Sequence, residues 1–147
     1  MENNINDEKH RQRQTSSSAG RQDTAVPELA YLGDAVMELL IRERLVRSGK
    51  CGSSALNSAA LSYVMATAQS EAVDRISGML SEDETAAYKN GRNSVHGRNV
   101  PKSATVAEYR RATGLEVVFG KLYLEKQYDR LEELINAAYP DLARFGR

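Results

Sequence analysis

Tyr31-Leu32-Gly33-Asp34-Ala35-Val36 is the stretch on which both the fold and the chemistry turn. It lies within Pro27 to Leu45, where Leu29, Leu32, Val36, Leu39 and Leu40 recur at helical spacing and Ala30, Gly33, Ala35 and Met37 widen the apolar stripe. Pro27 suits a first helical turn, and Glu28 is favourable beside the N-terminal dipole. The helix turns amphipathic at Arg42-Glu43-Arg44 and is expected to stop before Gly49. So apolar a helix is expected to be central and packed on more than one side. Asp34 stands in its middle, where a charge costs free energy unless something pairs with it. Taken alone, Asp34 reads first as an acid paired with an arginine or capping a neighbouring helix, and second as a metal ligand.

A second acid has the same character. Glu116 sits in Thr113-Gly114-Leu115-Glu116-Val117-Val118-Phe119-Gly120, flanked by apolar residues rather than by a solvated charged face. Two such acids on two apolar helices favour the metal reading. Carboxylate oxygens are hard ligands that suit Mg²⁺, which typically keeps several waters and takes one or two protein carboxylates. Glu38, one turn after Asp34, can share its face as an auxiliary acid, but reads better as an ion pair with Arg42.

Between the two acids the pattern stays helical. Ala55 to Ile76 reads as one helical region, with Leu56, Ala59, Ala60, Tyr63, Val64, Ala68 and Ala72 facing inward and Gly78 breaking it. Ser81 and Glu84 form a capping box for a short helix ending at Tyr88 or Lys89. Asn90 to Ser103 is the least regular internal stretch, punctuated by Gly91, Gly97 and Pro101. From Lys89 to Arg111 the charge is one-sided, opposed only by Glu108. Lys89, Arg92, Asn93, Arg98, Lys102 and Arg110 are the candidate phosphate contacts, and such contacts position a nucleic acid without reading its sequence. The bland alternative is a solvated surface. Ser103 is expected to cap a long helix to about Lys126, buried through Val106, Tyr109, Leu115, Val118, Phe119, Leu122 and Tyr123. A last helix, Tyr128 to Ala138, should present Leu131, Leu134 and Ile135 to the core and Glu132 and Glu133 to solvent. No stretch alternates with period two, so the class is all-α.

The 147 residues suffice for one domain, placed at 25–147 behind a polar segment, 1–24, expected to be a disordered tail. Net charge is zero, so bulk electrostatics favour neither nucleic acid nor membrane. The single cysteine, Cys51, forms no internal disulfide and no ligand pattern. The polar N-terminus has no apolar signal core and no run is long enough to span a bilayer, which points to the cytoplasm and away from a membrane. There is no Walker-type or dinucleotide glycine pattern and no nucleophile triad.

Leu29 to Val36 resembles the signature helix of the ribonuclease III catalytic domain, and Glu116-Val117-Val118-Phe119-Gly120-Lys121-Leu122-Tyr123-Leu124 resembles its second acidic helix. The small bacterial branch that lacks the double-stranded-RNA-binding domain, Mini-ribonuclease III, also shows a Gly-Arg-Asn loop, here Gly91-Arg92-Asn93, and a Tyr-Arg, here Tyr109-Arg110. The likeness runs from about Val26 to Leu134. It implies a helical homodimer that cuts double-stranded RNA with Mg²⁺, Mn²⁺ being able to substitute, and leaves 5′-phosphate and 3′-hydroxyl ends. It further implies precursor large-subunit (23S) ribosomal RNA as substrate and a ribosomal protein as a candidate helper. Asp34 matches the signature aspartate and Glu116 the metal-binding glutamate. Where the larger enzymes carry further acids, this chain has Ala30, Pro27 and Thr113, the last able to hydrogen-bond a metal-bound water. The rival reading is a non-catalytic ribonuclease III-like domain that binds structured RNA or a ribosomal protein. Retention of both Asp34 and Glu116 argues against it.

Overall fold

A computed structural model describes residues 24–96 and 100–147. The tail expected over residues 1–24 lies outside them apart from Thr24, and so does Arg98. Six α-helices are formed among the described residues: α1 (Val26–Arg47), α2 (Ser53–Val64), α3 (Ala66–Ile76), α4 (Glu82–Ser94), α5 (Val106–Leu124) and α6 (Tyr128–Ala138). Short 3₁₀ turns follow α3 (Ser77–Met79) and α6 (Pro140–Phe145), and no strand occurs among the described residues. None of these helices is long and apolar enough to cross a membrane.

α1 is central as expected, packed on α5, α2, α4 and α6, and the other central element is α5. It packs on α1, α4 and α3, and Leu115, Val117, Val118, Phe119 and Leu122 are all buried along it. α1 contributes Val36, Met37, Leu40, Ile41 and Leu45 to the same core. Its stripe is wider than its neighbours can cover, however. Leu39 is 61% exposed and Tyr31 85%, and Ala35 between them is exposed too. These three recur every four residues, so they form one open line along the helix. Val106 and Tyr123 of α5 are likewise exposed rather than buried.

Arg44 reverses the amphipathic end expected for α1, because it is fully buried. Its Nη2 donates to Glu132 Oε2 (2.6 Å) and Asn136 Oδ1 (2.8 Å), and its Nη1 donates to the Leu40 carbonyl (3.0 Å). Glu132 therefore turns to this guanidinium instead of facing open solvent, and α6 is tied to α1. A buried guanidinium is tolerated because a carboxylate and hydrogen-bond acceptors surround it.

Three other expectations are corrected. The helical region 55–76 is two helices broken at Met65, whose ψ of 146° turns the chain. The break costs little, because the Met65 N–H still donates to Leu61 and its carbonyl still accepts from Gln69. Neither Pro nor Gly marks it. α4 runs on to Ser94, so Gly91-Arg92-Asn93 is its last turn rather than a loop. Gly91 is no breaker there: a Cβ would lie 2.8 Å from the Gly114 Cα and 3.1 Å from the Thr113 carbonyl oxygen, so the residue is small to let α4 meet α5. Finally α5 is capped by Thr105, which accepts from the Glu108 N–H at 3.1 Å, and not by Ser103. The Ser81–Glu84 capping box forms as expected, with Ser81 N–H to Glu84 Oε1 at 2.9 Å. Glu84 also takes two hydrogen bonds from Arg130 of α6 (2.8 and 3.0 Å), which hold its carboxyl below the usual range.

Candidate active site

The site begins where α1 crosses α5. A Cβ at Gly33 would lie 1.6 Å from the Glu116 carbonyl oxygen, so the two backbones touch at this point. Asp34 follows Gly33 directly, and Glu116 is the residue touched. The crossing thus brings into one place two acids separated by most of the chain.

Their environments differ. Asp34 is exposed and Glu116 half-buried. Burial, and then the charge of Asp34, push the Glu116 carboxyl up from 4.5 to about 8. Asp34 is raised as well, by partial burial first and by the charge of Glu38 second. Neither carboxylate has a basic partner within ion-pair distance among the described residues. This excludes the arginine-paired reading of Asp34 among those residues. With no basic partner, burial first and the charge of Asp34 second favour the protonated form of Glu116.

No third acid, histidine or cysteine joins the pair within metal-holding range among the described residues. Glu38 is ion-paired on its own helix: its Oε1 accepts from Arg42 at 2.8 Å, the i,i+4 pair expected from spacing. Thr113 lies one turn before Glu116 on the same face of α5, and its hydroxyl donates to the Tyr109 carbonyl at 3.0 Å. That leaves its oxygen lone pairs free to accept. Ala30, one turn before Asp34, is half-buried and adds no ligand. Two carboxylates are hard donors of the kind Mg²⁺ takes.

Of the basic candidates, Arg92 and its neighbour Asn93 are tied to the acid-bearing helix. Gly91 of α4 contacts the backbone of Thr113 and Gly114, so the turn carrying Arg92 and Asn93 sits next to the acid-bearing face of α5. The Arg92 guanidinium lies 5.7 Å over the Tyr88 ring, and its Nε donates to Asn93 Oδ1 at 3.3 Å. Lys89, Lys102 and Arg110 are exposed. Arg111, which made the charge bias look stronger, is paired with Asp74 of α3. The residue that spacing failed to single out is Tyr88. It seats on Gly114 and supports Arg92 from below, and its only sequence signal is the i,i+4 interval to that arginine.

The region containing these residues is similar to known proteins. Residues 27–127 match the family model described as the ribonuclease III domain. A Mini-ribonuclease 3 from Symbiobacterium thermophilum is 44% identical over 110 residues, covering 75% of this chain and 84% of that protein. Another from Enterococcus faecalis is 44% identical over 110 residues, covering 74% and 83%. The crystal structure of a protein from Fusobacterium nucleatum superposes with a TM-score of 0.71 at 34% identity, covering 79% of this chain and 92% of that one.

Proposed function

The chain belongs to the ribonuclease III family and is an endoribonuclease acting on double-stranded RNA, and from that premise we propose that Asp34 and Glu116 hold the Mg²⁺ its cleavage depends on and that its substrate is precursor large-subunit (23S) ribosomal RNA. The observation that supports the metal reading is the unpaired acid couple at the α1–α5 crossing. A divalent cation held by these carboxylates would offset both the burial of the Glu116 charge and its repulsion by Asp34. When bound, Mg²⁺ supplies an activated water and stabilises charge developing on the scissile phosphate, and Mn²⁺, with similar ligand preferences, substitutes for it.

The protein's own groups do the positioning. Asp34 and Glu116, both ionised, would hold the ion. Thr113 accepts a hydrogen bond from a water on the same face. Lys89, Arg92, Asn93, Lys102 and Arg110 hold the RNA backbone alongside, which selects duplex shape over base sequence. Cleavage in this arrangement leaves 5′-phosphate and 3′-hydroxyl ends.

The molecule acts as a homodimer in this reading. The open line Tyr31, Ala35 and Leu39 on α1, with Tyr123 and Tyr128 beside it, is an apolar face of the kind a second copy covers. Two copies double the basic surface offered to one duplex. An exposed free cysteine suits a reducing compartment, and on that ground the protein is placed in the cytoplasm.

The test is direct. A perfect RNA duplex is cut in Mg²⁺ and stays whole in chelator, and Asp34→Asn folds normally but does not cut. A duplex left whole at every metal concentration, or an Asp34→Asn variant that cuts at the wild-type rate, rejects the proposal. Preference for a precursor 23S stem over an unrelated duplex of equal length tests the substrate.

A further inference from the structure

Gly33 and Gly120 both sit inside helices, where each costs about 1 kcal/mol relative to alanine. Their neighbours explain the choice. A Cβ on Gly33 would lie 1.6 Å from the Glu116 carbonyl oxygen and 2.9 Å from the Gly120 nitrogen. A Cβ on Gly120 would lie 2.1 Å from the Leu29 carbonyl oxygen and 3.1 Å from the Gly33 nitrogen. Every one of these atoms is backbone. No side chain can rotate away, so an added methyl forces one helix to retreat by roughly 1–2 Å to reach ordinary contact. The helix that retreats carries a carboxylate with it, because Asp34 is bonded to Gly33 and Glu116 is the residue in contact.

We propose that the Gly33–Gly120 crossing sets the gap between the Asp34 and Glu116 carboxylates, making both glycines positioning residues for the cation held there. The proposal rests on the reading of Asp34 and Glu116 as the metal ligands. It goes further in saying that the grip on the cation depends on the helix spacing and not on the acids alone.

The experiment measures Mn²⁺ uptake by the free protein through the loss of its paramagnetic resonance signal, without RNA. Duplex affinity in chelator and helical content are followed alongside. Gly120→Ala, the milder clash, should keep its helical content and its duplex affinity while binding Mn²⁺ about tenfold more weakly. Adding Asp34→Glu to that variant lengthens one arm by a methylene and should recover most of the lost affinity. A purely structural defect would not be recovered in this way. A folded Gly120→Ala protein that takes up Mn²⁺ like wild type overturns the proposal, and so does a weakened one that Asp34→Glu fails to rescue. If Gly120→Ala does not fold, Asp34→Glu alone decides. At the native spacing the longer arm should weaken Mn²⁺ binding several-fold, and unchanged binding overturns the proposal. Wild-type protein that takes up no Mn²⁺ overturns the metal site itself, and the spacing claim with it.

Discussion

Replacing Glu116 with glutamine should make the metal-free protein more stable in alkaline solution while abolishing its activity. The Glu116 carboxyl ionises near 4.5 in the unfolded chain and at about 8 in the folded one. Below the lower value both states hold the proton and nothing is lost. Between the two, the folded state keeps a proton that the unfolded state releases, so stability falls as pH rises and the loss is complete above about 8. At about 1.4 kcal/mol per pKa unit the full separation corresponds to roughly 5 kcal/mol. Glu116 is half-buried, and solvent screening reduces this to about 2–3 kcal/mol. Glu84 does not mask the effect, because its carboxyl is held low by Arg130 and its contribution is already complete above the ordinary carboxylate range. The assay is urea unfolding in chelator at about pH 5 and about pH 9. Wild type should lose about 2–3 kcal/mol across that span, Glu116→Gln should lose little of it, and the variant should be the more stable at the alkaline end. Mg²⁺ should restore wild type at high pH and leave the variant unchanged. A wild-type profile that is flat in chelator, or a Gln variant less stable than wild type at about pH 9, refutes the picture of an uncompensated acid pair.

Other parts of the structure are equally exposed to test. Arg44→Ala strands Glu132 and Asn136 beside a cavity and should cost about 3–5 kcal/mol in chemical unfolding, with a smaller loss for the volume-matched Arg44→Met. Arg92→Ala should weaken duplex binding evenly across sequences and lower the slope of log affinity against log salt by about one, measured with Mg²⁺ removed. Leu39→Glu places a charge on the open line of α1 and should shift the sedimentation equilibrium from dimer to monomer with helical content intact. A variant that remains dimeric moves the interface elsewhere.

Much of the architecture was legible from local pattern. Helix α1, the capping box at Ser81 and Glu84, and α6 over Tyr128–Ala138 all appear where periodicity and capping chemistry put them. Such signals depend on residues within one or two turns, so they are complete in the sequence. The two acids were legible as anomalies for the same reason: each is a charge inside an apolar run. Local pattern failed where a residue's role depends on a distant neighbour. Gly91 reads as a breaker, yet it stays helical because Gly114, far along the chain, needs a partner without a Cβ. Arg44 reads as a solvent-facing charge, yet Glu132 and Asn136 make burial affordable for it. Leu39 reads as core, yet among the described residues nothing packs over it closely enough to bury it. Most of all, nothing near Asp34 announces Glu116. Their meeting is decided by the backbone contact of α1 with α5, and that contact exists because two glycines remove the atoms that would hold the helices apart.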